Sequence, residues 1–99
     1  MSQSLKEQCK ELVKNQGVNL QSAIEYDVNG EIHSFSLESI IDSMMLGSEK
    51  SQEVFFESLK LTLEGKNDLQ NTTKMRIQKF FEDMGQLLLM THLSDKFQD

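Results

Sequence analysis

The sequence predicts a mostly helical α+β domain with about four helices and one β-hairpin. Three observations carry that expectation. Four segments place their apolar residues at helical spacing. One segment, SAIEYDVNGEIHSF, sets β-forming residues on both sides of Asn29-Gly30, a dipeptide whose members both tolerate positive φ. Proline is absent, so no helix is broken by a residue lacking its N–H.

The first helix is expected over residues 5–16. Ser4-Leu5-Lys6-Glu7 has the S-x-x-E form of a capping box. Leu5, Cys9, Leu12 and Val13 then make one apolar stripe. Gly17 can take the left-handed conformation that ends a helix. Cys9 lies on the stripe, so it reads as a core residue rather than a reactive thiol, which would need exposure and an activating neighbour.

The hairpin strands are expected near 22–28 and 31–35. Two registers are compatible with the turn. A two-residue turn pairs Val28 with Glu31 and gathers Ile24, Tyr26, Val28, His33 and Phe35 on one face. A three-residue loop with a glycine bulge pairs Asp27 with Glu31 and groups Ile24, Tyr26 and Ile32. The first collects more apolar side chains and is preferred. A lone hairpin is marginal in water, so it must pack on helices or be extended by another chain.

Ser36 is placed to cap a second helix over 37–46, with Leu37, Ile40, Ile41, Met44 and Met45 on its stripe and Gly47 at its end. Ser48 is placed to cap a third, 49–64, ended by Gly65. Its main stripe is Phe55, Phe56, Leu59 and Leu63, and Val54 and Leu61 form a second ridge. With so little left for water, this helix is expected to be central. The last helix is expected over about 70–94, with Asp68 or Asn71 as its cap. Connections are short throughout, so helices adjacent in sequence are expected to pack together. The 99 residues predict one domain, 1–99, with room for one modest core.

The stretch FFEDMGQLLLMTHL, residues 80–93, holds more apolar groups than one helix face can bury. Ile77, Phe80, Phe81, Met84, Leu87 and Leu88 fall within roughly 120° of arc and form the expected core stripe. Leu89, Met90, Leu93 and Phe97 fall on the other side and need a second cover. The N-terminal helix is one candidate and a second chain is the other, with a two-fold dimer favoured. Gly85 weakens the helix by about 1 kcal/mol relative to Ala. Either it is simply tolerated, or another element approaches the backbone closely there.

Hydrophobic residues make up 37% and charged residues 26%, an ordinary composition for a folded soluble chain. No apolar run approaches a membrane span. The opening MSQSLKEQCKEL has no signal-peptide core, so a cytoplasmic location is expected. The lone cysteine cannot form an internal disulfide. Net charge is −6, and residues 36–68 hold seven acids against three bases. That balance disfavours a general attraction to nucleic acid, and reads first as a solvated surface.

His33 and His92 stand far apart and belong to no H-x-x-x-H or C-x-x-C pattern, so no metal and no cofactor is expected. No phosphate-binding glycine loop or nucleophile elbow occurs, and Glu82-Asp83, adjacent on a helix, point in different directions. An enzyme is therefore not expected. Lys74, Arg76 and Lys79 form the one basic cluster, at a helix start where cations oppose the dipole. They are candidate contacts for an anion or a partner.

The expected function is a small non-enzymatic protein–protein interaction module, a homodimeric regulatory or adaptor protein. Leu89, Met90, Leu93 and Phe97 are its expected interface. One alternative is a DNA-associated regulator using the Lys74/Arg76/Lys79 helix start. Another is an acidic phage- or mobile-element-type inhibitor of a nucleic-acid-binding protein.

Overall fold

A computed structural model of the chain describes residues 3–65 and 72–96, with side chains of the last helix described up to Thr91. The order is α1 (Leu5–Asn15), β1 (Ala23–Val28), β2 (Glu31–Ser36), α2 (Leu37–Met44), α3 (Glu49–Glu64) and α4 (Thr73–Lys96). This is the expected mostly helical α+β architecture, with four helices and one antiparallel hairpin.

The local signals act where the sequence sets them. Ser4, Ser36 and Ser48 each accept a hydrogen bond from the backbone N–H three residues on, at 3.2, 3.1 and 3.1 Å. Each removes one of the orphan donors of a first turn. Gly17 ends α1 with φ +77°. Ser36 closes β2 and opens α2, so the chain passes from strand to helix with no loop. The free N–H groups of Leu37 and Glu38 donate to Ser22 O and Leu20 O, both at 3.0 Å. The segment before the hairpin thus caps the helix after it.

The hairpin takes the two-residue register. Val28 pairs with Glu31, Tyr26 with His33 and Ile24 with Phe35. Asn29 and Gly30 have φ of 54° and 84°, the signs that a type I′ turn needs. Ile24, Tyr26, Val28, His33 and Phe35 are the half-buried face, while Ile32 points to water. That face rests on α2 and α4, so the hairpin finds its support within the chain.

All four helices contribute to one core: Cys9 and Val13 from α1, Leu37, Ile40 and Ile41 from α2, Phe55 and Leu59 from α3, and Ile77 and Phe81 from α4. Phe55, Phe80 and Phe81 form an aromatic cluster, with Phe80 edge-on to Phe81 at 5.4 Å. Lys10 ties α1 to α2, 3.2 Å from Asp42 and 3.7 Å from Glu38.

Four expectations need correction. The cap of α4 is Thr72, whose hydroxyl accepts from Met75 N at 3.2 Å; Asp68 and Asn71 lie outside the described residues. α2 stops at Met44, with Met45 as its C-cap, short of the expected 46. On α4, Leu87 is 53% exposed and Leu89 only 4%, the reverse of the expectation. The buried line is Ile77, Phe81, Gly85, Leu89, a ridge of four-residue steps that winds by about 40° per step. A ridge that winds in this way is what neighbours packed at an angle to a helix bury, whereas a fixed arc assumes a straight stripe. Finally, α3 packs on all three other helices, as a central helix does, but its second ridge is not covered. Phe55 and Leu59 face the core, but Val54 and Leu61 are 57% and 68% exposed. Among the described residues no element lies over that ridge.

Candidate interaction face on the third and fourth helices

Val54 and Leu61 stand seven residues apart on α3, about 10.5 Å at roughly 1.5 Å per residue, on the same side of the helix. Small residues sit between and beyond them: Ser51, Ser58 and Gly65. Alongside, α4 brings Met75 and Leu87 to the same face, and exposes Met90 further along; each is more than half open to water. Monomeric proteins scatter such side chains singly; a line of them along one helix pair marks a contact surface.

The face has relief. Near Leu61 a concavity of about 530 Å³ is lined by Leu61, Met75, Arg76, Lys79, Phe80 and Asp83 among others. Two turns away along α3, another of about 460 Å³ opens among Met44, Lys50, Val54, Ser58, Met84 and Leu87. Methionine supplies part of both walls, and its flexible thioether adapts to whatever packs on it. Glu53, Glu57 and Glu64 are exposed along the outer edge of α3. Lys60 lies 3.9 Å from Glu57 and 5.3 Å from the centre of the Phe56 ring.

The structure brings Arg76 and Lys79 to the wall of one concavity and leaves Lys74 apart from them. Lys74 turns toward α1, its ammonium 3.8 Å from where a Cβ on Gly17 would stand. Arg76 turns the other way. Its Nε donates to Thr62 O at 3.0 Å, in the last turn of α3, and a further guanidinium nitrogen donates to Thr73 Oγ1 at 3.1 Å. A cation is unfavourable at the start of its own helix but favourable at the end of another. Lys74 and Arg76 thus serve the C-terminal ends of α1 and α3. Gly65 is part of this arrangement, since a Cβ there would lie 2.6 Å from Arg76 Nε. Lys79 is exposed beside Asp83 on the α3–α4 face.

The expected interface residues also part company. Leu89 is covered by its own chain and Met90 is exposed. The Leu93 side chain and Phe97 lie outside the described residues. What sequence reasoning missed was the exposure of Val54 and Leu61. Their seven-residue spacing was visible, but nothing in it says whether the ridge is covered.

Gly85 marks a close approach. Tyr26, on β1, reaches across α4 and donates its hydroxyl to Glu82 O. A Cβ on Gly85 would stand 2.6 Å from that oxygen and 3.3 Å from Ile40 Cδ1. Burial, with the Glu82 and Asp83 carboxylates behind it, raises the Tyr26 pKa. His33 Nε2, on the same hairpin face, is buried without a hydrogen bond and lies 3.9 Å from Glu31. The Cys9 thiol is fully buried, which pushes its pKa up to about 11. Among the described residues, no three His, Cys, Asp or Glu side chains gather as metal ligands, and no helix is long and apolar enough to cross a membrane. A further cleft of about 460 Å³ lies between the segment after α1 and the start of α4, with Asn19, Ser22, Leu37, Lys74 and Ile77 on its walls.

No family model, curated protein or solved structure matches this chain.

Proposed function

We propose that this chain is a small non-enzymatic protein–protein interaction module of the regulatory or adaptor kind, and that the outer face of α3 and α4 is where it binds. One observation carries the reading: Val54, Leu61, Met75, Leu87 and Met90 are all more than half exposed along a single helix pair. Burying one such side chain fully is worth about 1.5–3 kcal/mol, so a complementary polypeptide gains substantially by covering the row. Lys74 stands apart from Arg76 and Lys79, and Arg76 is bonded to Thr62 O and Thr73 Oγ1, which favours a protein contact over a phosphate backbone, since that needs a concentrated positive field.

The test uses Leu61→Asp and Val54→Asp in the full chain. Both positions face water, so each variant keeps the helix content of the parent. Each loses the polypeptides that the parent retains when cross-linked in its native cytosol. If the variants retain the same polypeptides as the parent, binding occurs elsewhere on the molecule. If they unfold, the ridge is internal and the reading fails.

A further inference from the structure

We infer that the occupant of the α3–α4 face is a second copy of this chain, docked by antiparallel contact of α3 on α3 about a two-fold axis beside Ser58. The inference rests on the contact-face reading above and names its partner.

The spacing of the ridge supplies the first argument. The midpoint of Val54 and Leu61 falls between Glu57 and Ser58. A two-fold there sets Val54 of each copy opposite Leu61 of the other. Each copy's Leu61 then enters the concavity that the other lines with Val54, Met84 and Leu87. Each Val54 enters the one lined by Leu61, Met75 and Phe80. Ridge and hole exchange places under one symmetry operation, as an isologous contact requires. Ser51, Ser58 and Gly65 carry little bulk along the same line and let the two α3 backbones approach.

Charge supplies the second. Across this two-fold, Lys50 of one copy lies next to Glu64 of the other, and the pair occurs twice. Like charges also approach in the antiparallel arrangement, Glu57 on Glu57 at the axis and Glu53 near Glu64, and Glu57 keeps its own Lys60 at 3.9 Å.

Area supplies the third. The 16 residues of α3 span about 24 Å at roughly 1.5 Å per residue. With α4 alongside at about 8–10 Å, the flat footprint is on the order of 500 Å², and the accessible surface of so rough a face is larger. A standard interface takes about 800 Å² per partner, near a tenth of a small protein's surface, and this chain exposes 6944 Å². The face is below the standard size, which fits a weak, concentration-dependent dimer.

Sedimentation across a wide range of concentration tests this. The parent moves from 11.4 kDa toward twice that mass as concentration rises. Leu61→Asp weakens self-association by at least about thirtyfold, as for a central apolar contact. Lys50→Glu weakens it about fivefold, and the reversed pair Lys50→Glu with Glu64→Lys restores it. Ser58→Cys forms an intermolecular disulfide under mild oxidation, while Glu11→Cys, on the exposed side of α1, does not. Cys9 does not compete, being buried with its thiol protonated. A parent that stays monomeric to its solubility limit overturns the second-copy inference; if Leu61→Asp still abolishes capture of another polypeptide, the contact-face reading stands without it. A dimer that survives Leu61→Asp overturns both. A dimer that Leu61→Asp abolishes but Ser58→Cys does not cross-link overturns the antiparallel two-fold.

Discussion

Replacing Gly85 by alanine sets two effects of known sign against each other. On helix propensity alone the change stabilises α4 by about 1 kcal/mol. The new methyl carbon, however, would stand 2.6 Å from the Tyr26 hydroxyl oxygen, 3.2 Å from Tyr26 Cε2 and 3.3 Å from Ile40 Cδ1. No carbon–oxygen contact survives at the first distance, so Tyr26 must withdraw. That breaks its hydrogen bond to Glu82 O, worth about 0.5–1.5 kcal/mol net. It also disturbs the packing of β1 on α4, and overpacking typically costs about 1–3 kcal/mol. The balance is a net loss of about 1–3 kcal/mol, opposite in sign to propensity alone. Urea unfolding of four proteins makes the measurement a cycle: parent, Gly85→Ala, Tyr26→Phe and the double variant. Tyr26→Phe removes the oxygen and its hydrogen bond to Glu82 O, at a cost of about 1 kcal/mol. In that background Gly85→Ala becomes close to neutral, so the two changes couple by about 1–2 kcal/mol. If Gly85→Ala stabilises the parent by the full propensity gain, the glycine is merely tolerated and the close approach has no energetic consequence.

Two further outcomes follow from the same geometry. The Cys9 thiol holds its proton to about pH 11 in the folded state against an ordinary 9.0. The folded chain therefore binds the extra proton between those values, and stability that is level below pH 9 falls as pH rises through the window. The slope is up to about 1.4 kcal/mol per pH unit. Tyr26 adds to the decline in the same direction, so urea titration of Cys9→Ala against the parent isolates the thiol; identical pH slopes would refute its part. At the end of α3, Arg76→Ala frees the Thr62 carbonyl and uncovers the apolar stem of the arginine, at a cost of about 1–2 kcal/mol. Lys79→Ala, on the exposed side of the same helix, stays within about 0.5 kcal/mol of the parent. Equal effects at the two positions would show that Arg76 caps nothing.

Much of this fold is legible along the chain because its determinants are local. Ser4, Ser36 and Ser48 cap the helices that follow them. Asn29-Gly30 turns the hairpin, and the alternation beyond it selects the register that buries Tyr26 and Phe35. Each of these depends on residues within a few positions of one another. The candidate face is legible only as a pattern. Val54 and Leu61 share a ridge in the sequence, but whether another element covers them depends on where α1, α2 and α4 are already committed.

The sequence by itself therefore determined the elements, their order and the hairpin register, through capping, turn chemistry and period. Tertiary structure alone decided which faces meet. The crossing of α4 by its neighbours turned the buried ridge through Gly85 to Leu89 and released Leu87. It also sent Lys74 and Arg76 to the ends of two other helices, and left Val54 and Leu61 in water. The physical reason is one of range. Hydrogen bonds in a turn or cap are closed by neighbours in sequence, whereas burial is settled by the angle at which whole helices pack, which no single period encodes.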